Sequence, residues 1–442
     1  MSGLRLPRDR ARAATAPAVA LLASLGLVLA GCGAQAPRVG DGALPVSDPA
    51  QVPVTAGAED DPTEPGPGVD AVARPNPEPG PLGDRPDPPD QDSADLRFER
   101  VGRLTGEMTP KSVVASGAGL VVAQNMIYTH TVSAFSSDGQ LQATIDDTVV
   151  PADFGYDEWT EEVEGGPVEA AFSRDGSQLW VSNYSTYGPG FTKPGDDVCD
   201  PSTDIDPSFV YRIDTATLEI AEVVLVGAVP KYLEVTPDGE HLLVANWCSW
   251  DVSVVATAGG RGGAELVTTV DLDGRYPRGL AISPDSRTAY VAIMGGSDIA
   301  LLDIPAAVAG AGEEAVGWFR DIGAGPRHLN LSPDGSTLYA TLNKAGEVAK
   351  IDTATGEVLG TVRTGSQPRS SALSDDGTAL FVVNYESDTV SRVRTSDLEV
   401  LETVAVDHHP IGITYDALTR RIWVAAYGGS LTVFDDAAPA DG

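Results

Sequence analysis

Five positively charged side chains recur at one place in a repeated sequence pattern, directly after a proline. The pattern is clearest in GPRHLNLSPDG, residues 325–335, and the Pro-Arg or Pro-Lys pair opens four other units of the same repeat. The five cations are Lys111, Lys231, Arg278, Arg327 and Arg369. An arginine suits planar, bidentate capture of a carboxylate or phosphate, and a lysine adds a compact positive charge. If the fold brings these residues together, they predict an anion-binding site.

A second set of side chains consists of amides and aromatic rings. They lie at the end of the second strand of their repeat units. Tyr and Trp would add apolar faces for a ring or a sugar. Together with His328, the members predicted to bind a ligand are Tyr184, Asn246, Trp247, Asn343, Asn384, Tyr385 and Tyr427. Amides and aromatic rings thus alternate around the predicted ring of positive charge.

The elements that position these residues follow from the prolines, which mark a repeated unit. The marks are Pro110, Pro167, Pro230, Pro277, Pro326, Pro368 and Pro410. The last two intervals, 326 to 368 and 368 to 410, are both 42 residues, and insertions lengthen the earlier ones. Each short unit contains four alternating or apolar runs separated by turn signals such as Asp-Gly. Four short antiparallel strands about every 40 residues are typical of a β-propeller blade.

We therefore predict an all-β fold, a seven-bladed β-propeller of four-stranded antiparallel blades. The last unit supplies three strands, and a further strand at residues 96–106 precedes the first unit. Its pattern resembles that of the other outer strands. We expect this N-terminal strand to complete the last blade, because closing the ring removes an exposed sheet edge.

Several units also resemble a known family of repeats. LSPDGSTLYATLNKAGEVAKIDTATGEVLGTVRTG, residues 331–365, is similar to YVTN-type (YncE-like) propeller repeats. The resemblance covers all seven units, residues 96–435. It implies the propeller fold and leaves the function open, because the family includes binding proteins, surface proteins and a few enzyme relatives.

The up-and-down strand order predicts which loops share a rim. With strands a to d counted outward from the channel, the cation enters strand a on the rim that also carries the loop after strand b. The Pro-Asp-Gly turns lie on the opposite rim, and the long insertions at residues 150–166 and 185–208 join the cationic rim. The structural alternative is that the cations pair with the protein's own carboxylates, as rim arginines commonly do.

Three cysteines suit an exported protein. Cys199 lies in the b–c insertion of blade two, and Cys248 lies in the b–c loop of blade three. Because equivalent loops of adjacent blades are neighbours, we predict a Cys199–Cys248 disulfide that pins the insertion to the rim. Cys32 ends the sequence LAGC, which resembles the bacterial lipobox and implies lipidation of the Cys32 sulfur.

The first 95 residues are predicted to be a targeting signal followed by a spacer. Residues 1–31 combine the arginines and the apolar run of a lipoprotein signal peptide. Residues 32–95, the lipidated cysteine and a Pro/Gly/Asp-rich linker, contain too few large apolar residues to fold. The propeller is expected at 96–436, followed by a disordered tail at 437–442. We expect an exported protein, lipid-anchored to the outer face of the bacterial cell membrane.

The formal net charge of −35 argues against nucleic acid as a partner and against adsorption to an acidic membrane surface. The leading interpretation is a monomeric, non-enzymatic binding scaffold without a cofactor. Its cationic channel mouth would take an anionic small molecule, an envelope glycan or a protein segment.

Two other interpretations stay open. One is a metal-assisted lactonase- or lyase-like enzyme using rim histidines, His130, His328, His408 and His409, with Glu169, which is expected on the rim without a neighbouring marker cation. No His spacing typical of a metal site supports it. The other is a propeller that binds a redox cofactor, for which no covalent haem motif is present. No catalytic residue or metal ligand is assigned.

Overall fold

The structure is a computed structural model that describes residues 91–258 and 263–438. The predicted signal peptide, Cys32 and linker residues up to 90 lie outside the described residues, as do positions 439–442 of the predicted tail. In the described part, seven antiparallel blades form a ring, which confirms the predicted all-β, seven-bladed propeller. No helix in these residues is long and apolar enough to cross a membrane.

The first strand along the chain is β1 (Arg97–Thr105), and blades one to three follow it. Blade one contains β2 (Ser112–Ala115), β3 (Leu120–Asn125), β4 (Thr131–Ser136) and β5 (Leu141–Asp146). Blade two contains β6 (Thr148–Val149), β7 (Val163–Phe172), β8 (Gln178–Tyr187), β9 (Phe209–Asp214) and β10 (Glu219–Leu225), and the short β6 is an additional strand. Blade three contains β11 (Pro230–Val235), β12 (His241–Asn246), β13 (Asp251–Ala256) and β14 (Glu265–Asp271).

Blades four to seven repeat this order. Blade four contains β15 (Pro277–Ile282), β16 (Thr288–Ile293), β17 (Ile299–Asp303) and β18 (Val316–Phe319), with the short helix α1 (Ile304–Val308) after β17. Blade five contains β19 (Pro326–Leu331), β20 (Thr337–Leu342), β21 (Glu347–Asp352) and β22 (Val358–Arg363). Blade six contains β23 (Pro368–Leu373), β24 (Ala379–Asn384), β25 (Thr389–Arg394) and β26 (Val400–Ala405). Blade seven contains β27 (Pro410–Asp416), β28 (Arg421–Ala426), β29 (Ser430–Ala437) and β1. Single-turn 3₁₀ helices lie at Ser93–Asp95, Pro151–Phe154, Pro201–Thr203, Gly312–Ala315 and Tyr385–Ser387.

The N-terminal strand closes the ring as predicted. β1 pairs antiparallel with β29 along its whole length. A group of residues beside this pairing, which we call the closure cluster, consists of Ser93, Phe98, Phe381, Arg392 and Asp436. Within it, Arg392 Nη1 lies 2.6 Å from Asp436 Oδ1, and Ser93 Oγ donates to Asp436 Oδ2. Both members of this ion pair are fully buried.

The core is distributed between the blades. Both faces of each blade pack on neighbouring blades, so their middle strands are apolar on both sides. Between blades three and four, Val252 and Val254 pack in one cluster with Leu280 and Val291. Because every inner strand is held between two neighbours, the positions where these strands begin are set by the ring as a whole.

The predicted Pro-Asp-Gly turns connect strands a and b. In blade five, the Asp334 carboxylate accepts hydrogen bonds from Ser332 Oγ at 2.6 Å and from the Ser336 N–H at 3.0 Å. Gly335 takes a left-handed conformation with φ of 75°, which a glycine adopts without steric cost. These turns form the rim opposite the cations.

Candidate functional site

A β-bulge at the start of the inner strands positions the cations. In blades three to six, the pairing register shifts directly after the marker proline, and the shifted residues include Lys231, Arg278, Arg327 and Arg369. A bulge leaves its extra residue out of the ladder and re-aims the side chain. The same shift occurs at Val168 and Ile411. The bulge is therefore a property of the fold, and a cation is not needed to form it.

The residue before the marker proline has an unusual backbone conformation in five blades. Val229, Tyr276, Gln367 and His409 have φ between 51° and 61°, and Gly325 has φ of 66°. This left-handed region is uncommon for residues other than glycine and a genuine outlier for a β-branched one. Because the same entry recurs before Lys231, Arg278, Arg327 and Arg369, the direction in which these four cations enter is imposed by the fold.

All five cations are buried, and aromatic rings lie over Lys111, Lys231 and Arg369. The guanidinium of Arg369 lies 3.5 Å from the ring centroid of Tyr385, and the ammonium of Lys111 lies 5.4 Å from that of Tyr427. The two tyrosines meet edge to face at 6.0 Å. The predicted rim tyrosines of blades six and seven thus form one lid over two cations.

Arg278 and Lys231 form ion pairs with carboxylates of the protein. Arg278 Nη2 lies 2.8 Å from Glu169 Oε1, and Lys231 Nζ lies 3.1 Å from Asp197 Oδ1. The expectation that Glu169 has no neighbouring marker cation was wrong. Its side chain leaves β7 in blade two and contacts the cation of blade four, which sequence spacing within one blade does not reveal.

Arg327 and Arg369 make different contacts. Arg327 Nη1 donates a hydrogen bond to the main-chain oxygen of Arg369, and Arg369 Nη2 donates to Gln367 Oε1 at 3.1 Å. Within residues 91–258 and 263–438, no carboxylate forms an ion pair with Arg369, and its Nε and Nη1 have no hydrogen-bond partner. Arg369 is therefore a buried cation with aromatic and amide contacts and no countercharge in the described structure.

A cavity of about 240 Å³ lies between the inner strands beside these cations. Polar members of its wall are Ser112, Glu169, Tyr232, His328, Asn330, Ser370, Ser371, Thr414 and Tyr415. The Nδ1 atom of His328 lies 3.3 Å from Asn330 Nδ2 and 3.4 Å from Ser371 Oγ. The wall thus offers hydroxyl, amide and imidazole groups within reach of the Glu169–Arg278 pair.

His328 is neutral in this setting. Burial, and then the positive charges of Arg278 and Arg327, lower the pKa of its imidazole to about 3. A neutral imidazole can donate one hydrogen bond and accept another. The positive charge at this end of the channel is therefore carried by the marker cations.

A groove of about 750 Å³ opens on the same rim between blades five and six. Its walls include Asn343, Lys344, Arg363 and Gln367. Burial, and then the nearby positive charge of Arg275, lower the pKa of Lys344. Gln367 belongs to the wall of this groove and also accepts a hydrogen bond from Arg369, so one side chain connects the groove to that guanidinium.

The long insertion of blade two is fixed to this rim. The Cys199–Cys248 disulfide is present, as predicted. Asp197, two residues before Cys199, accepts a hydrogen bond from Tyr184 Oη at 3.0 Å and pairs with Lys231. Sequence analysis identified the insertion but missed Asp197, although its position beside a predicted disulfide would have been a usable signal.

Three aromatic side chains surround the Lys231–Asp197 pair. The Lys231 ammonium lies 4.5 Å from the ring centroid of Tyr184 and 5.0 Å from that of Trp247. Trp247 stacks on Tyr276 at 4.4 Å, and its Nε1 donates to the main-chain oxygen of Asp197. This part of the predicted site is closed by the protein's own groups.

The predicted amides have two kinds of position. Asn246 Nδ2 donates to Asp251 Oδ1 at 2.5 Å, and Asn384 Nδ2 donates to Thr389 Oγ1 at 3.1 Å. These two amides hold strand b to strand c. Asn343 instead lines the rim groove.

The four rim histidines lie in three surroundings, because His408 stacks on His409 with their ring centroids 3.6 Å apart. His130 pairs with Glu164 of blade two at 3.2 Å, whereas His408 Nδ1 lies 3.0 Å from Asp388 of blade six. His409 stacks on Tyr385, and His328 lines the cavity. In the described part of the chain, no group of three His, Cys, Asp or Glu side chains is arranged to hold a metal ion.

Comparisons with known proteins support the fold. A chain of the Kuenenia stuttgartiensis hydrazine synthase structure is similar with a TM-score of 0.57 and 17% identity, over 76% of this chain and 98% of that one. A chain in a crystal structure of the mitotic checkpoint complex has a TM-score of 0.59 and 15% identity, over 80% of this chain and 98% of that one. No family model matches the sequence, and no curated protein matches it. At these identities the likeness establishes the β-propeller fold alone.

Proposed function

We propose that this protein is a non-enzymatic binding protein that holds a carboxylate or phosphate group at the cationic end of its channel. The group would belong to a small anionic molecule, an envelope glycan or an acidic segment of a protein partner. These ligands share anionic oxygen atoms, which guanidinium groups bind with charge-assisted hydrogen bonds.

The observation that carries the proposal is the environment of Arg369. A buried ion without a countercharge costs several kcal/mol, and stacking on an aromatic ring returns only about 1 to 2 kcal/mol. The other two marker arginines are close to it, because Arg327 contacts the Arg369 main chain and both Arg278 and Arg327 act on His328. An anion placed here would supply the charge that the described residues do not.

The sizes of the two spaces set limits on the ligand. The inner cavity of 240 Å³ is below the range of about 300 to 1,000 Å³ that is usual for sites of drug-sized molecules. It therefore suits an anionic head group. The rim groove of 750 Å³ beside Gln367 could take the remainder of a larger ligand.

The cellular setting belongs to the same proposal. The YVTN-type repeats and the lipobox-like sequence support a propeller exported to the cell envelope and held by lipid on Cys32. A disulfide between Cys199 and Cys248 suits an oxidising compartment. A spacer between the anchor and the propeller would leave the cationic rim accessible to envelope ligands.

Titration calorimetry of the full chain with inorganic phosphate and with citrate, at low salt, tests the anion site. We expect binding that Arg369→Gln weakens by about tenfold or more, since a hydrogen bond to a charged group contributes about 1.5 to 3 kcal/mol. Arg97→Gln is the matched control, because Arg97 is exposed on the outer strand β1. Failure of both anions to bind, or equal binding by Arg369→Gln, would contradict the proposal.

Elemental analysis and absorption spectra of the same preparation separate the other interpretations. Stoichiometric, tightly bound zinc or calcium would favour the metal-assisted enzyme, and a haem spectrum would favour the redox protein. A colourless preparation that binds phosphate in the absence of metal is the result expected for the binding protein.

A further inference from the structure

The opposite end of the channel contains a second cavity, of about 520 Å³. It lies among the inner strands of blades two to five and the turns that follow them. Its apolar wall consists mainly of Phe172, Val235, Pro237, Ala281, Ile282, Pro284, Leu329, Leu331 and Pro333. The volume falls within the range of small-molecule sites, about 300 to 1,000 Å³. The two cavities share Tyr232 and Asn330 as wall residues, while the marker cations belong to the other end.

One acidic side chain, Glu234, lies in this apolar wall. It is half-buried on β11, and its carboxyl group accepts a hydrogen bond from the Ile282 N–H. Among the described residues, no cationic side chain forms an ion pair with it. A carboxyl group with one hydrogen-bond donor and an apolar wall is incompletely compensated when it is ionised.

The charged and titratable groups around Glu234 come from three elements. Tyr232 is its neighbour on β11, and Arg174 lies exposed at the cavity edge in the turn after β7. On β19, His328 lies beyond Asn330 toward the cationic end, and the β15 residues in this wall are the apolar Ala281 and Ile282. Burial raises the pKa of Glu234 to about 8. In the empty cavity the carboxyl group is therefore protonated at neutral pH.

We propose that this cavity binds a small organic amine with an apolar body, whose ammonium group pairs with the Glu234 carboxylate. The aromatic rings of Phe172 and Tyr232 line the same space, and an ammonium group is attracted to aromatic faces as well as to carboxylates. The aliphatic and proline side chains would cover the rest of the ligand. This site is at the opposite end from the anion site and does not depend on it.

Other ligand classes fit the wall less well. An anion would meet an ionisable carboxyl group and only one cation, Arg174, which is exposed at the edge. A purely apolar ligand would cover Glu234 and leave it the Ile282 N–H as its hydrogen-bond partner. An ammonium group both satisfies the carboxylate and favours its ionised form, since an opposite charge lowers a carboxyl pKa.

Calorimetry of the full chain with 2-phenylethylamine, and with 2-phenylethanol as its neutral counterpart, tests the proposal. We expect the amine to bind more tightly than the alcohol and to release about one proton at pH 7, because Glu234 must ionise. The proton count comes from repeating the titration in buffers of different ionisation enthalpy. Glu234→Gln should weaken amine binding by about tenfold or more and leave the alcohol unchanged. Glu240→Gln, an exposed glutamate in the turn after β11, is the matched control.

A pH series on the unaltered protein keeps the test decisive if Glu234→Gln does not fold. Below the pKa of about 8, amine affinity should rise by about tenfold per pH unit, while alcohol affinity stays constant. Equal affinity for amine and alcohol would overturn the proposal. So would amine binding that is independent of pH, or unchanged amine binding by a folded Glu234→Gln variant.

Discussion

Two buried arginines of blade six lie against aromatic rings and differ in their charge partner. Arg392 lies against the two phenylalanine rings of the closure cluster, 4.8 and 5.0 Å from their centroids, and pairs with Asp436 at 2.6 Å. Arg369 lies 3.5 Å from the ring of Tyr385, and no carboxylate of the described residues pairs with it. The charge of Arg392 is therefore neutralised within the fold, whereas the charge of Arg369 has no carboxylate partner among the described residues.

The comparison shows which feature marks a ligand site. Each arginine has two nitrogen atoms without a hydrogen-bond partner in the described structure, Nε and Nη2 in Arg392 and Nε and Nη1 in Arg369. Incomplete hydrogen bonding therefore does not distinguish them, since aromatic rings cover both guanidinium groups. The charge balance does distinguish them, and it assigns a structural role to Arg392 and leaves room for an anion at Arg369.

The largest effect is expected at the closure cluster. Asp436→Asn removes the carboxylate of a fully buried ion pair and leaves the Arg392 charge uncompensated. Breaking such a pair costs about 3 to 5 kcal/mol. Urea unfolding should therefore show a loss of this size in the free energy of unfolding. Asp397→Asn, which removes an exposed partner of Arg394, is the control and should change it by less than about 1 kcal/mol.

A smaller loss for Asp436→Asn, similar to that of Asp397→Asn, would show that the closure cluster does not depend on its ion pair. The distinction between the two arginines would then rest on the aromatic contacts alone. Closure of the ring by β1 would be unaffected by that result, because the strand pairing extends over the full length of β1.

The second-largest effect on stability is expected when protonation of His328 adds a positive charge at the cationic end. In the unfolded chain His328 takes up a proton near pH 6.5, but in the folded protein its pKa is about 3. The stability that depends on neutral His328 is therefore complete above pH 6.5 and is lost as the pH falls toward 3. At pH 5 the loss is roughly 2 kcal/mol.

Urea unfolding at pH 7 and pH 5 measures this loss, with His328→Gln as the control that lacks the titrating group. The difference between the two pH values should be larger in the unaltered protein than in His328→Gln. Saturating phosphate should reduce it, because a bound anion beside the arginines makes protonation of His328 less costly. Equal pH dependence of the two proteins would show that Arg278 and Arg327 do not act on this imidazole.

Much of the fold was predictable from the sequence because its signals are local and repeated. The marker prolines and the Asp-Gly turns identified seven units, and the unpaired outer strand at residues 96–106 predicted how the ring closes. The Cys199–Cys248 disulfide followed from the strand order, since equivalent loops of adjacent blades are neighbours.

The contacts of the candidate site were less predictable because they join residues from different blades. Glu169 reaches Arg278 from blade two to blade four, and Asp197 reaches Lys231 from within an insertion. Neither pair follows from periodicity. The bulge that re-aims the cations is also absent from the hydrophobic pattern, because its extra residue is polar in some blades and apolar in others.

The smallest effect on stability is expected where the comparison is most informative, at Arg369 itself. In the absence of ligand, Arg369→Gln should lower the free energy of unfolding by no more than about 1 kcal/mol. The substitution loses an aromatic contact of about 1 to 2 kcal/mol, which destabilises the folded state. It also removes an uncompensated buried charge, which stabilises it. Arg392→Gln, the matched substitution in the same blade, should cost several kcal/mol because it takes the nearest cation away from buried Asp436 and leaves only the longer pair with Arg420, at 3.6 Å.

Phosphate extends the same measurement. A ligand at 100 times its Kd stabilises the folded state by about 2.7 kcal/mol, so phosphate at that concentration should stabilise the unaltered protein and Arg392→Gln by about this amount. Arg369→Gln, which binds phosphate about tenfold or more weakly, should gain about 1.4 kcal/mol or less. If Arg369→Gln without ligand is as unstable as Arg392→Gln, then Arg369 is a structural cation like its counterpart. In that case the positive charge at the channel mouth is balanced by the protein's own groups. The anion site would then have to be sought in the groove beside Lys344.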